Sequence, residues 1–455
     1  MGFVLGTFYL VVAYLGTVTV FGSIATVVHI ELILAALVAI VSLPSLPGSY
    51  LAKTPQTLAL LGLALAVFMS VLMTGWRTGA ALAFLGFIPC AFAYFIVCLH
   101  CNSQKKLRIL ALMLLFVCLF VIVHGSIDLA RGVVVVDQAD PGSTGSPYFL
   151  AQRSDSGGWF LRLRGQNFIN DPNDFAQLIV TVIPLAFIFW RPKKWFRNFL
   201  FVIVPEGILL FGAYLTHSRG FVIALLAVTV LAGRRFIGAI PSLIIAGGMF
   251  AAVMALGFTG GREISASAGM GRMALWGDAL GLLKAHPLFG VGYGRMADSA
   301  GLTAHNSVAV CAAELGLTGL FFWAMFILPS IRDVLSISSP ANVSEGEPII
   351  PEEEVFPQTS RTIKPIDKAE VIRLGRLMLL SLAGFLVAGM FLSRAYVVTL
   401  FLLGGMVEVV YEMALDRGMI APRLPLARIV LYSAGLMVLL VLMIYFMLRI
   451  SNLMR

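Results

Sequence analysis

Residues 107–124 read LRILALMLLFVCLFVIVH, an almost continuous apolar run in which Arg108 is the single charged residue. A membrane hydrocarbon core of about 30 Å is crossed by about 20 apolar residues in a helix. Because lipid offers no partner to an unpaired backbone amide, a run of this length that crosses a membrane must be helical. The stretch therefore predicts a transmembrane helix.

The rest of the chain repeats this pattern. Of its 455 residues, 59% are hydrophobic and 12% are charged, and the mean hydropathy is +0.95. Soluble domains carry about 25% charged residues, so the composition excludes an ordinary soluble protein. We predict an all-α fold, a polytopic integral membrane helix bundle with about 12–13 transmembrane helices. The candidate spans are 4–24, 30–47, 56–75, 79–99, 107–124, 174–190, 198–216, 220–233, 236–258, 306–330, 376–393, 397–415 and 428–448.

Basic residues in the short loops predict the orientation, because such residues stay on the cytoplasmic side. Three clusters fall on one side if the spans alternate: Lys105–Arg108, Arg191–Arg197 and Arg234–Arg235. The N-terminus is then expected inside. A thirteenth span would place the C-terminus outside, which Arg449 and Arg455 disfavour, so the side of the C-terminus stays open.

This alternation predicts five parts of the chain. Acidic residues and prolines in the fourth part indicate a mostly disordered loop. The parts are N-terminal transmembrane helices (1–124), an external loop (125–173), a membrane core with a second external loop at 259–305 (174–330), a flexible cytoplasmic loop (331–375) and C-terminal transmembrane helices (376–455).

The net charge of +9 and the five cysteines suggest no further site. The positive charges lie in loops between apolar runs, where they orient the chain, and we expect no nucleic-acid partner. The cysteines lack paired metal-ligand spacing, so we interpret them as small apolar residues without disulfides. The first apolar run lacks a basic n-region, and we expect it to be a retained helix.

The first candidate for chemistry is Thr216-His217-Ser218-Arg219-Gly220, between two spans joined by almost no loop. An arginine at a membrane interface can simply end a helix with its head in water. Alternatively, its planar guanidinium binds phosphate oxygens, a task that suits arginine better than lysine. Both interpretations of Arg219 remain open from this segment alone.

The second candidate is the external loop with Gly271-Arg272-Met273-Ala274-Leu275-Trp276, followed by His286-Pro287 and a glycine-rich run to Gly294. Apolar spacing from Arg272 to about Lys284 predicts an amphipathic helix that lies at the external membrane surface. His286-Pro287 and the glycines are expected to end it. The glycine run lacks a preceding strand and a P-loop lysine, so it fails as a nucleotide site.

The third candidate is Ala304-His305-Asn306-Ser307, which opens a span that also contains Glu314. Asn306 or Ser307 could merely cap the helix. However, a histidine at a helix N-terminus stays neutral near pH 7, as a general base must. Glu314 is expensive in a membrane unless it is paired, and we expect an arginine from another span as its partner.

A fourth feature is Asn170-Asp171-Pro172-Asn173-Asp174. Aspartate at the N-cap, proline at the first helical position and aspartate two residues later are typical of a helix start. We favour a structural role for this segment, as a helix start, over a functional one.

Taken in order, these segments resemble the O-antigen ligase/O-antigen polymerase family of bacterial envelope glycan assembly. The likeness covers residues 165–325, and its order along the membrane pattern is more specific than any one motif. The motifs are Asp171-Pro172-Asn173-Asp174-Phe175-Ala176, Ser218-Arg219-Gly220, Arg272 with Trp276, His286-Pro287-Leu288-Phe289-Gly290-Val291-Gly292, His305-Asn306-Ser307 and Glu314-Leu315-Gly316.

The resemblance implies a metal-independent, inverting glycosyltransferase of the bacterial inner membrane, with its active site facing the periplasm. It implies an undecaprenyl diphosphate-linked glycan donor, an acceptor such as lipid A-core, and no cofactor. Arg219 and Arg272 would bind the diphosphate, and His305 would activate the acceptor hydroxyl as general base. Possible supporting residues are Asn306, Glu314, His217 and Asn173.

Two alternatives remain. The segment 259–304 is compact. An O-antigen or exopolysaccharide polymerase therefore remains an alternative to a lipid A-core ligase. A transporter of lipid-linked or anionic cargo would also place arginines in a polar cavity. Transporters often contain internal repeats and broken helices, and we detect neither in the sequence.

Overall fold

The computed structural model describes residues 1–22, 29–47, 49–135, 144–153, 158–255, 266–345 and 366–453. The described chain is mostly helical with almost no sheet, which confirms the predicted all-α class. Its helices are α1 (Gly2–Leu15), α2 (Thr17–Phe21), α3 (Ile30–Ser42), α4 (Pro55–Leu72), α5 (Arg77–His100), α6 (Gln104–Ala130), α7 (Pro172–Ala186), α8 (Trp195–Asn198), α9 (Val204–Thr216), α10 (Arg219–Gly233), α11 (Ala239–Ala255), α12 (Ala266–Ala285), α13 (Met296–Ala300), α14 (Ser307–Ser338), α15 (Lys368–Gly389), α16 (Val398–Leu415) and α17 (Leu426–Leu453).

Nine helical runs among the described residues are long and apolar enough to cross a membrane, as expected of a multi-pass membrane protein. Four shorter apolar helices complete the set, and each of these helices and runs overlaps one predicted span. The four are Gly2–Leu15, Ile30–Ser45, Arg219–Gly233 and Ala239–Val253. At about 1.5 Å per residue they are shorter than a hydrocarbon core of about 30 Å.

The structure differs from the predicted pattern at several points. The first span is interrupted at Gly16, where φ is 82°. The predicted cytoplasmic loop 331–375 is shorter than expected, because α14 continues to Ser338 and α15 begins at Lys368; residues 346–365 of that loop lie outside the described residues. The predicted external loop 125–173 contains two antiparallel strands, β1 (Phe149–Arg153) and β2 (Trp159–Leu163), which the sequence reading missed.

By their internal contacts the residues form two compact units. The first unit comprises Met1–Val41, Lys105–Ile264 and Leu380–Ala388. Within it, α7 packs against α9 and α10, and α10 packs against α11. Strand β2 contacts α7 and α9, so the hairpin covers the ends of two apolar helices.

The second unit comprises Ser42–Gln104, Ser265–Leu379 and Gly389–Arg455. Helix α14 packs against α4, α12, α16 and α17, while α5 contacts α4 and α16. Helix α16 is 94% buried, and Phe401 on it contacts the ring of Phe326 with centroids 4.9 Å apart. These apolar contacts hold α14, the helix that begins beside His305, in the middle of the unit.

Candidate functional site

Arg219 begins α10 after a two-residue turn. Helix α9 ends at Thr216, and His217 adopts a left-handed conformation with φ 50°. Ser218 is the N-cap of α10 and its hydroxyl accepts a hydrogen bond from the Phe221 N–H at 3.4 Å. The turn therefore places Arg219, which is half-buried, at the first residue of a helix.

Arg162 on β2 supports this turn, and the sequence reading missed it. Its side chain donates to the Thr216 carbonyl oxygen at 2.8 Å, to Gln152 Oε1 at 2.9 Å and to Asn173 Oδ1 at 2.8 Å. Arg162 is 3% exposed. One buried guanidinium thus joins the hairpin, the start of α7 and the turn before Arg219.

The predicted helix start at residues 170–174 is confirmed. Asp171 is the N-cap of α7, and its Oδ1 accepts from the Asn173 N–H at 2.7 Å, with Pro172 at the first helical position. The structural interpretation is therefore right for Asp171. Asn173 adds to it, because its side chain accepts from Arg162.

In the second unit, Asn306 caps α14 as the structural alternative predicted. Its Oδ1 accepts from the N–H groups of Val308 at 3.0 Å and Ala309 at 3.1 Å, and the residue is 0% exposed. Its Nδ2 donates to the Met390 carbonyl at 3.3 Å. Such satisfied bonds fix the helix start, so the residue before it, His305, has a defined position.

The backbone of His305 is fixed by a hydrogen bond and by an unusual conformation. It adopts φ 47°, a conformation that non-glycine residues rarely take. Its N–H donates to Ser393 Oγ at 2.9 Å, and that hydroxyl donates to Thr303 Oγ1 at 2.7 Å. The segment between α15 and α16 therefore positions His305, a contribution from a distant stretch of sequence that carried no recognisable signal.

Helix α12 confirms the helix predicted over 272–284 and connects Arg272 to the His305 region. Trp276 Nε1 donates to the carbonyl oxygen of Ala304 at 2.9 Å. Arg272 precedes Trp276 by one turn, so the two side chains lie on the same side of α12. The buried indole of Trp276 thus links α12, the helix that carries Arg272, to the residue before His305.

The glycine-rich run after α12 is used for close backbone packing. Helix α14 is interrupted at Gly316, with φ 64° and ψ −162°. The preceding loop pairs with the interrupted helix: Val291 N–H donates to Ala313 O at 2.9 Å, and Leu317 N–H donates to Pro287 O at 2.8 Å. A Cβ on Gly290 would lie 2.4 Å from backbone atoms of α14, so this position requires glycine.

The break in α14 corrects two expectations. The absence of broken helices, used above against a transporter, is wrong for α14. The arginine partner expected for Glu314 is also wrong, because its carboxylate accepts hydrogen bonds from the backbone N–H groups of Gly294 and Met296. The loop that fills the break therefore also satisfies the buried carboxylate.

Two other residues near this region have defined places. His286 directly follows the last residue of α12 and is exposed, as its interpretation as a helix stop predicted.

Tyr293 has a pKa raised by burial and by the nearby Cys90 and Glu314, whereas the Arg394 charge lowers it. Arg394, between α15 and α16, is thus a nearby cation that the sequence reading did not single out.

Arg219 belongs to the first unit, and Arg272 and His305 belong to the second. That the two arginines share one cavity stays a prediction. A separate groove of about 570 Å³ between α10 and α11 contains none of the predicted site residues. Its lining is apolar apart from Arg234.

All five cysteines, which lie among the described residues, are buried and unbridged, as predicted. Comparison of the sequence with models of known protein families and with curated proteins returns no match. The family resemblance therefore depends on the ordered motifs quoted above.

Proposed function

We propose that the protein is a membrane glycosyltransferase of the O-antigen ligase type. It would transfer a glycan from undecaprenyl diphosphate to an acceptor hydroxyl on the periplasmic side of the bacterial inner membrane. The observation that carries the proposal is the anchoring of His305. Its backbone is fixed by Ser393, and Trp276 ties the neighbouring Ala304 to the helix that bears Arg272.

The proposed reaction needs a base and a stabilised leaving group. His305 accepts the proton of the acceptor hydroxyl, whose oxygen attacks the anomeric carbon of the donor. The bond from that carbon to the diphosphate oxygen breaks, and undecaprenyl diphosphate leaves with the electron pair. Attack opposite the leaving group inverts the anomeric centre. Arg219 and Arg272 would stabilise the negative charge that develops on the diphosphate.

Arg162 supports the same proposal from the first unit. Its hydrogen bond to the Thr216 carbonyl holds the end of α9, and Arg219 follows that end by three residues. A buried guanidinium with three directional bonds limits the movement of the turn. The turn would therefore present Arg219 to a diphosphate with little reorganisation, as electrostatic stabilisation of a leaving group requires.

A transporter of lipid-linked or anionic cargo remains the second candidate. The observation in its favour is the interruption of α14 at Gly316 beside the buried Glu314, because transporters place broken helices and ionisable groups at their substrate sites.

The test is a transfer assay with purified protein, an undecaprenyl diphosphate-linked glycan and separate acceptors. Glycosylation of lipid A-core indicates a ligase, whereas extension of a second lipid-linked glycan indicates a polymerase. Movement of the donor across a vesicle membrane with no glycosylated product would contradict the enzyme and support the transporter.

A further inference from the structure

A buried cluster of charged side chains lies in the second unit, away from His305. The Arg423 guanidinium lies 2.9 Å from Asp333 Oδ2, 2.7 Å from Glu408 Oε2 and 2.9 Å from Glu412 Oε1. We call these four residues the Arg423 cluster. At about 1.5 Å per residue, the part of α14 between its interruption at Gly316 and Asp333 is alone about 25 Å long. The cluster is therefore separate from the candidate site.

Two carboxyl groups of the Arg423 cluster are closed to solvent and incompletely hydrogen-bonded, whereas Arg423 and Glu412 are 12% and 10% exposed. Asp333 and Glu408 are both 0% exposed. Gln56 of α4, also 0% exposed, donates its Nε2 to Asp333 Oδ2 at 2.8 Å. At this place three buried oxygens have no hydrogen-bond partner within the described part of the chain: Asp333 Oδ1, Glu408 Oε1 and Gln56 Oε1. Buried acceptors without a donor are costly and rare.

The positive charge of the nearby arginines does not balance the negative charge that the carboxyl groups would carry if all were ionised. If all three were ionised, three negative charges would face the single guanidinium of Arg423. Arg332 also attracts the Asp333 carboxylate, but Asp416 adds a further acidic group that acts on Glu412. Negative charge is thus in excess, and a buried carboxyl group in excess takes up a proton rather than remain ionised.

Other titratable groups around the cluster cannot supply the missing positive charge. The Tyr411 ring lies 4.1 Å from the Arg423 guanidinium and is neutral or negative. Tyr50, Tyr94 and Cys98 act electrostatically on Glu408, and burial raises the pKa of Tyr50. None of these groups becomes a cation at any pH.

Arg423 itself keeps its charge. Burial lowers the pKa of its guanidinium, but the Glu408 and Asp333 carboxyl groups outweigh that effect and raise the pKa above its usual value. Loss of a proton from Arg423 therefore cannot balance the charges of the cluster. The excess negative charge must be removed by protonation of carboxyl groups.

We propose that the Arg423 cluster is a proton-binding site, with protons on Asp333 Oδ1 and Glu408 Oε1. The first proton makes Asp333 a donor to the unpartnered Gln56 Oε1, so that the acid and the amide pair through both of their ends. The second lies between Glu408 and Glu412, which are within hydrogen-bonding reach of each other on α16. Two protons therefore satisfy all three unpartnered oxygens.

Infrared spectroscopy of the purified full-length protein near neutral pH tests this site independently of the proposed function. Asp333→Asn and Glu408→Gln are each expected to remove the carbonyl absorption of about one protonated carboxyl group. Glu370→Gln is the matched control, because Glu370 accepts hydrogen bonds from Arg373 at 2.7 and 2.8 Å. It should reduce only the ionised carboxylate absorption.

Loss of protonated-carboxyl absorption in either cluster variant supports a proton site, and unchanged absorption in both overturns it. If the variants do not fold, the wild-type protein decides. A proton that the folded state holds and the unfolded chain releases makes stability fall as pH rises. The melting temperature is therefore expected to fall from neutral to alkaline pH, and a level or rising value would contradict the proposal.

A metal cation is the competing occupant of these oxygens. Replacing choline chloride by sodium chloride at equal ionic strength is expected to leave the melting temperature unchanged. Stabilisation by sodium that disappears in Glu408→Gln would mean that the oxygens bind a metal ion, and it would overturn the assignment of protons.

Discussion

Arg162 in the first unit and Arg423 in the second are both buried arginines, but they have different neighbours. Arg162 donates hydrogen bonds to a backbone carbonyl and two side-chain amide oxygens. Arg423 lies among three carboxyl groups. The difference indicates that the guanidinium of Arg162 acts mainly through the direction of its bonds, whereas that of Arg423 acts mainly through its charge.

Removing the charge of Arg423 is expected to have the largest effect. Arg423→Met leaves the ionised carboxyl group of the cluster without its cation and should cost about 3–5 kcal/mol of unfolding free energy. Arg423→Lys keeps the charge and should cost clearly less. Thermal unfolding of the purified protein in detergent measures both, and equal losses would mean that charge does not dominate at this position.

The opposite pattern is expected for Arg162. Arg162→Lys should be nearly as harmful as Arg162→Gln, with about 1.5–3 kcal/mol lost for a hydrogen bond from a charged donor. Because Arg162 holds the turn before Arg219, both variants should also raise the KM for the lipid-linked donor. Arg153→Gln, an exposed position on the same hairpin, is the control. Full rescue of stability and KM by lysine would mean that charge, and not bond direction, dominates at position 162.

The break in α14 should be more sensitive than an ordinary helical glycine. Gly316→Ala forces a side chain onto φ 64° and places its Cβ 2.5 Å from the Leu288 carbonyl carbon. We expect a loss of about 1–3 kcal/mol. Gly281→Ala, in α12 with no atom within 4 Å of the added Cβ, should be neutral or slightly stabilising. Equal melting temperatures for the two variants would contradict the packing described here.

The smallest expected effect is at the start of α14. Asn306→Ala removes the acceptor for two backbone N–H groups and should cost about 0.5–2 kcal/mol. Asn306→Asp keeps the acceptor and should retain most of the stability, although it loses the donor to Met390. Thermal unfolding compares them, and an aspartate variant no better than alanine would argue against capping.

The sequence predicted features that depend on local patterns. Apolar runs located the helices, spacing around Trp276 located α12, and Asp171-Pro172 located the start of α7. Features assembled from distant residues were missed. The partners of Arg162 lie at residues 152, 173 and 216, and the Arg423 cluster joins residues 333, 408, 412 and 423.

The break at Gly316 was also missed, for a physical reason. A glycine in an apolar run is compatible with a continuous helix. The backbone of Pro287–Gly292 pairs with α14 at that point, and this contact cannot be read from residue 316 alone. Farther along the same segment, the backbone N–H groups of Gly294 and Met296 take the place of the arginine that was expected to pair with Glu314.

The proposed role of His305 as general base is tested most directly by turnover of His305→Ala with a lipid-linked glycan donor and its acceptor. We expect a loss of about 10²–10⁴-fold in kcat, with the melting temperature nearly unchanged because Asn306 still caps α14. His286→Ala, at an exposed histidine after α12, should turn over at the wild-type rate. Near-wild-type turnover by folded His305→Ala would contradict the assignment of His305 as general base and transfer the role to His217.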